Sequence, residues 1–292
     1  MTRRITWEPP PPTIVKTAGS ELMDELKNTR SSDIWNKVPA VTLAFWIIKV
    51  MSTTVGETGA DYLAVHVGLG AAITDAIMSS LLIAALLMQL RVRRYVPGIY
   101  WLTVVLVSIV GTQITDALTD GFGVSLYTST AVFAAALATT FAIWYGVERT
   151  LSIHTIYTTR REIFYWSAVL LTFALGTAAG DLATEELGLG FNLGVFVFGA
   201  LIAAIAAAYT VGANAVMTFW LAYILTRPLG ASLGDLMSQA KTYGGLGLGT
   251  IYTSLGFLTV IATLVALASF GAPSSGQRAR PASARRSGRK AA

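Results

Sequence analysis

Eight ionisable side chains stand where a mostly apolar chain has no ordinary use for them: Lys49, Glu57, Asp61, Asp75, Asp116, Asp181, Arg227 and Asp235. Carboxylates gathered with hydroxyls and carbonyls bind hard cations such as Mg2+, Ca2+ or Mn2+. They also carry protons. The chain has no cysteine, so disulfides and thiolate metal ligands are excluded. Asp61, Asp116, Asp181 and Asp235 are the candidate ion-binding and metal-ligating set, with Glu57 and Asp75 beside them. Lys49 and Arg227 are the candidate countercharges. If protons exchange with the ion, Glu57 and Asp61 are the expected carriers. Nothing in the spacing selects a divalent metal over a monovalent ion or a proton.

The four aspartates recur at fixed spacing. "FWIIKVMSTTVGETGAD" (Phe45 to Asp61), "YWLTVVLVSIVGTQITD" (Tyr100 to Asp116), "YWSAVLLTFALGTAAGD" (Tyr165 to Asp181) and "FWLAYILTRPLGASLGD" (Phe219 to Asp235) align without gaps. Each opens on Phe or Tyr followed by Trp46, Trp101, Trp166 or Trp220. Each places Gly56, Gly111, Gly176 or Gly230 ten residues after the Trp, and the Asp fifteen after it. A glycine-rich break and a second apolar segment follow each Asp. The unit is helix, glycine loop, helix, and the repeats run about 38–92, 95–150, 160–212 and 213–270.

The elements that position these residues are membrane helices. The chain is 54% hydrophobic and 13% charged, against about a quarter charged in soluble domains. Its uncharged windows reach the roughly 20 residues that span a bilayer. The expected fold class is an all-α polytopic membrane protein with about eight spans in four parallel repeats: 38–59, 70–90, 97–117, 124–146, 163–183, 192–211, 213–232 and 248–270. Residues 1–37 read as a cytoplasmic segment with a short helix at Glu21–Asn28 and no signal peptide, and 271–292 as a disordered basic tail. The segments between units carry "RVRRY" and "ERTLSIHTIYTTRR", whereas the loops within units carry Asp116, Asp120, Glu185 and Glu186, with Lys241 the one base. By the positive-inside rule both termini are cytoplasmic and the aspartates lie toward the outside. All four copies then share one orientation. Either a quasi-fourfold ring or two nested pairs satisfies this.

Residues four apart share a slowly drifting helix face. In unit one that stripe is Lys49, Thr53, Glu57 and Asp61; in unit two Val104, Ser108, Thr112 and Asp116; in unit three Val169, Phe173, Thr177 and Asp181; in unit four Tyr223, Arg227, Ala231 and Asp235. Lys49 and Arg227 therefore face the interior that the acids face, Arg227 about 12 Å deeper than Asp235 by helical rise. Charges within spans usually mark a polar path. The plainer alternative is that each Asp caps a short interfacial helix. The tryptophans read as packing or interface anchors, and the motif glycines as sites of close helix crossing or of a helix break. Pro228 reads as a kink. His66 is a weak candidate for a ligand or proton carrier, and His154 belongs to a cytoplasmic loop.

The repeated aromatic-Trp, Gly and Asp pattern resembles a bacterial family of uncharacterised membrane-anchored proteins built from a fourfold two-span repeat of unknown function. The resemblance covers about Pro39 to Ala268 and implies a bacterial cytoplasmic (inner) membrane, but no activity. The expected function is transport, as a carrier or channel for a cation, with a divalent metal such as Mn2+ slightly preferred. The alternatives are an anion or organic-acid transporter clamping its substrate with Lys49 and Arg227, and a non-transporting scaffold or sensor. No P-loop, HExxH or nucleophile elbow occurs, so neither enzyme nor cofactor is expected. The expected partners are the cation and the lipid bilayer, without nucleic acid; the oligomeric state, a homo-oligomer included, is left open.

Overall fold

The computed structural model describes residues 36–66 and 70–271. Among these, eight α-helices and no strand occur: α1 (Leu43–His66), α2 (Ala71–Arg91), α3 (Pro97–Asp116), α4 (Leu126–Glu148), α5 (Thr159–Asp181), α6 (Gly190–Thr210), α7 (Ala215–Ser238) and α8 (Thr250–Gly271). The short N-terminal helix, the basic tail and part of the first glycine loop lie outside the described residues. Local chemistry sets the starts. Ser125, Thr158 and Asn214 accept hydrogen bonds from the first free amides of α4, α5 and α7, satisfying donors that the helix cannot. Pro97 opens α3, where its missing N–H costs nothing. In units two and three the helix leaves its last α-helical residue, Asp116 or Asp181, through one π-helical turn, Ala117–Gly121 or Leu182–Glu186. Gly123 (φ 68°) and Gly188 (φ 70°) then reverse the chain in the left-handed region, which glycine enters without a Cβ clash.

The first helices of the four units form a closed ring, and one contact repeated four times proves it. The leading aromatic of each unit meets the tryptophan of the next: Phe45 with Trp101 at 5.6 Å, Tyr100 with Trp166 at 5.5 Å, Tyr165 with Trp220 at 6.2 Å, and Phe219 back to Trp46 at 5.6 Å. The motif glycines repeat the cycle two to three turns along. Gly56 lies against Ser108, Gly111 against Phe173, Gly176 against Arg227, and Gly230 against Thr53. Since aromatics meet aromatics at one end and glycines meet the next stripe further on, α1, α3, α5 and α7 run parallel. The nested-pair arrangement is excluded.

The second helices form an outer shell with the same cyclic order. α2 packs on α3, α4 on α5, α6 on α7, and α8 closes onto α1. Each hairpin thus lends its second helix mainly to the next unit. In the ring helices α3 and α5, 72% and 61% of the apolar window is buried; in α2, α4, α6 and α8 the share is 11–17%. The outer helices present residues such as Phe196 and Leu255 outward, as a lipid-facing shell does. Six of the eight helices among the described residues are long and apolar enough to cross a membrane. The other two are α1 and α7, which carry Lys49, Glu57, Asp61, Arg227 and Asp235. At 24 residues each they are about 36 Å long, and they stand in the ring beside α3 and α5. The protein is an all-α polytopic membrane protein.

Helix ends differ from the sequence expectation. α1 begins five residues later and runs seven further than 38–59, and α7 ends six residues beyond 232. Hydropathy stops at charge, whereas a backbone ladder continues wherever polar side chains have an interior to face. The motif aspartates therefore sit on the last turns of the ring helices. The motif glycines break nothing: each lies inside a continuous helix. Pro228 also lies inside α7 without ending it, packed over Gly176 and Gly180 of α5.

Candidate functional site

Arg227 is the hub of the ring interior. Its Cβ rests where Gly176 has no side chain; a Cβ there would come within 2.5 Å. That close approach turns the rest of the side chain into the bundle. Nε donates to the Thr177 hydroxyl at 3.0 Å. Nη2 donates to a Glu57 carboxylate oxygen and to the Thr112 hydroxyl. Glu57, Thr112 and Thr177 all occupy the position after the motif glycine, in units one, two and three. One guanidinium from unit four is thereby held by one residue from each of the others. Arg227 is 1% exposed and Glu57 8%, so this is a buried charge pair, and such pairs persist only with close geometry and extra hydrogen bonds.

More acid surrounds it than the one partner. Glu57, Asp181 and Asp116 all act on Arg227 electrostatically. The charged neighbours of Asp181 are Glu57, Arg227, Glu185 and Asp116. Glu185, four residues past Asp181 on the π-turn, is near enough to Glu57 and Asp120 to feel their charges. Asp116 and Asp181 are half-buried, and Asp235 is buried on α7. The Asp61 side chain lies outside the described residues. Asp75 is not brought in: it is half-buried on the outer helix α2. Among the described residues no group of three His, Cys, Asp or Glu is close enough together to hold a metal ion.

Asp116 and Asp181 make no helix-cap bond. Both precede their π-turns in helical conformation. Asp235 and the Thr58–Asp61 pair lie within helices. Thr58 instead donates to the Thr54 carbonyl and pairs at 2.6 Å with Ser254 of α8.

Lys49 goes elsewhere. Fully buried, its Nζ lies 3.7 Å from the Phe173 ring centroid and 4.3 Å from that of Tyr223. No hydrogen-bond acceptor among the described residues reaches it. The sequence places Lys49 and Arg227 on one stripe; the structure gives the carboxylate partner to Arg227 and an aromatic box to Lys49. Toward the helix starts from Lys49 the leading aromatics pack on one another, and the Tyr100 and Tyr165 hydroxyls meet at 2.5 Å. The tryptophans pack among them, and Trp220 also donates to the Leu151 carbonyl. His66 ends α1 rather than lying in a loop, with its side chain outside the described residues. His154 is exposed in a short turn.

Sequence reasoning had Thr112 and Thr177 on the stripe without seeing them as the partners of Arg227. The signal was there: both occupy the Glu57 position of their units. It had no signal for Lys37, which is buried and bonded to Glu162 of α5 and to the Leu90 carbonyl at 3.3 Å. That pair is separated by 125 residues, and Lys37 precedes the first repeat.

No curated protein and no solved structure matches the chain. A family model described as Repeat of Unknown Function (DUF347) matches it four times, at residues 44–95, 99–150, 164–212 and 218–271. Those matches cover most of the chain and coincide with the four ring-and-shell pairs seen in the fold. The protein belongs to this family of four tandem DUF347 repeats.

Proposed function

We propose that the protein moves a cation across a bacterial cytoplasmic membrane, with both termini in the cytoplasm and the motif aspartates toward the outer side. The observation that carries the reading is the charge imbalance around Arg227. Three carboxylates, Glu57, Asp116 and Asp181, act on one buried guanidinium. More acid groups than that one guanidinium pairs with therefore stand around it, with a tethered cation already among them. An arriving cation competes with Arg227 for those carboxylates, and a divalent metal such as Mn2+ gains most from the exchange because Coulomb attraction scales with charge. The basic segments between units supply the orientation.

The test is flux in proteoliposomes for Mn2+, Mg2+, Ca2+, Na+ and H+, repeated with Asp61, Asp116, Asp181 and Asp235 changed singly to Asn. Flux of one cation that falls with Asp116→Asn and Asp181→Asn is the expected result. Flux unchanged in all four variants would refute the site. A second reading rests on a separate observation: Lys49 Nζ and Arg227 Nη1 are buried donors without acceptors among the described residues, and an organic acid would offer oxygens to such donors. It requires Arg227→Gln to abolish binding of an organic anion while the Asn variants alter stability alone.

A further inference from the structure

Lys37 makes a second buried charge pair, at the end of the ring opposite the motif aspartates. Asn36, Lys37 and Val38 are all buried, although they precede the first repeat. The Lys37 N–H donates to the Ile156 carbonyl at 2.9 Å, which fastens this segment to the turn between units two and three. Its side chain reaches the last turn of α2 and the first turn of α5. The final carbonyls of a helix have no partner inside it, and they form the negative end of its dipole. Here the Val92 N–H takes the Met88 carbonyl. Lys37 Nζ takes the next two, Gln89 at 3.5 Å and Leu90 at 3.3 Å, and also donates to Glu162 Oε2. An ammonium has three donors, and these bonds use them. Glu162 Oε1 and Gln89 Oε1 are left without a donor among the described residues. Glu162 is 0% exposed and Gln89 1%, and the Gln89 side chain acts on the Glu162 carboxylate. The bases next to Glu162 in sequence do not serve it, because Arg160 and Arg161 both bond Glu148. A buried acceptor without a donor costs stability.

We propose that Lys37 is the tethered occupant of a monovalent-cation site, and that K+ or Na+ exchanges with its ammonium there. The oxygens that converge on Nζ are two backbone carbonyls and a carboxylate, with the Gln89 amide oxygen beside them. Carbonyl oxygens in such a group replace the hydration shell of an alkali ion. A metal ion is not limited to three bond directions, so it can use the two oxygens that Lys37 leaves unmet. The charge count selects the ion class. The site has one carboxylate among neutral oxygens, so a singly charged ion replaces the ammonium charge for charge. A divalent ion would leave an extra positive charge buried, which is costly without a partner. When the ion enters, Lys37 loses the side-chain bonds that tie the start of the membrane domain to α2 and α5. The salt on that side of the membrane then sets whether this segment is held down. The site stands apart from the acids around Arg227 and does not depend on the cation reading above.

The experiment uses the full chain in detergent and an amine-acylating reagent, with acylation of Lys37 followed by peptide mass spectrometry. The salts are KCl, NaCl and N-methylglucamine chloride at one ionic strength, since the last cation is too large for the site. Lys37 is expected to be protected in N-methylglucamine and to label faster in K+ or Na+. The rate should rise about tenfold once the ion stands at ten times the dissociation constant of the opened site, by mass action. Equal labelling in all three salts overturns the proposal and leaves a plain buried ion pair. A second measurement does not need Lys37 to move. Lys37→Met is one atom shorter and lacks the ammonium, so it leaves the Nζ position open beside Glu162. Thermal unfolding of that variant is expected to shift upward in K+ or Na+ relative to N-methylglucamine, and Lys37→Met with Glu162→Gln should lose the shift. A Lys37→Met variant indifferent to the salt overturns the proposal. A shift with Mg2+ or Mn2+ in place of K+ and Na+ overturns it too. If the variants do not fold, the wild-type labelling decides.

Discussion

Removing the guanidinium of Arg227 leaves Glu57 buried and unpaired, and that is the costly half of a broken pair. Arg227→Met is expected to lower stability in detergent by about 3–5 kcal/mol, read as the shift in a denaturation midpoint. The double variant Glu57→Gln with Arg227→Met removes both charges and should recover a large part of that loss. A coupling energy near zero in the cycle would show that the pair does not interact as described. Arg227→Lys is not a conservative change here. One ammonium cannot span Glu57, Thr112 and Thr177, which the guanidinium reaches through Nε and Nη2 together. It should therefore behave more like the Met variant than like the wild type. The cost of placing an arginine at membrane depth, at least ~2.5 kcal/mol, is offset only by this set of partners.

At the scale of the elements, the motif glycine sets how near two ring helices come. A Cβ at Gly230 would stand 1.7 Å from the Thr53 hydroxyl, and one at Gly56 1.8 Å from that of Ser108. Gly230→Ala and Gly56→Ala must push α1 away from its neighbours, at a cost of about 1–3 kcal/mol or more. The displacement also pulls Glu57 from Arg227, so activity should fall further than stability. Gly199 on the outer face of α6 meets nothing within 4 Å. Gly199→Ala is expected to be neutral or slightly stabilising, by up to about 1 kcal/mol of helix propensity. Equal effects at Gly199 and Gly230, measured by thermal unfolding of the purified protein, would remove the close crossing from the account. The small hydroxyl residues beside the glycines use the same proximity: Thr54 donates to the Gly230 carbonyl at 3.0 Å and Thr115 to the Ala174 carbonyl at 3.1 Å. Hydrogen bonds of this kind join helices where apolar association gives no driving force.

At the scale of the whole molecule, the ring closes between the last unit and the first. Gly234 lies against Thr54 and Thr58, with a Cβ there 3.3 Å from the Thr54 methyl. The chain has no native cysteine, so an engineered pair reports without background. Gly234→Cys with Thr54→Cys should form an intramolecular disulfide under mild oxidation, seen as a mobility shift that reductant reverses. Two nested pairs of units would keep these residues apart, and a failure to crosslink in folded protein would count against the ring. Closure has a second consequence. Because α8 covers α1, a chain truncated before Thr250 leaves the first helix without its outer partner. Truncation there should cost the whole fold rather than one unit, which a limited-proteolysis pattern of the truncated protein would show.

The repeat, the parallel orientation of its copies, the helical class and the interior stripe were all legible from residue type and spacing. Each depends on periodicity along the chain: ten residues from Trp to Gly, five more to Asp, and four between neighbours on one helix face. Spacing says which side of a helix faces inward, and so it placed Arg227, Glu57, Thr112 and Thr177 toward a common interior. It does not say how far a side chain extends once there, or which partner it meets. That Arg227 takes Glu57 while Lys49 is left to Phe173 and Tyr223, and that Asp75 stays on the shell, follows from the order of the four units around one axis. That order is fixed by contacts across 50 to 176 residues of sequence, at glycines that let one backbone approach the next. Local sequence carries no record of such distances, because they exist only when the last repeat has packed against the first.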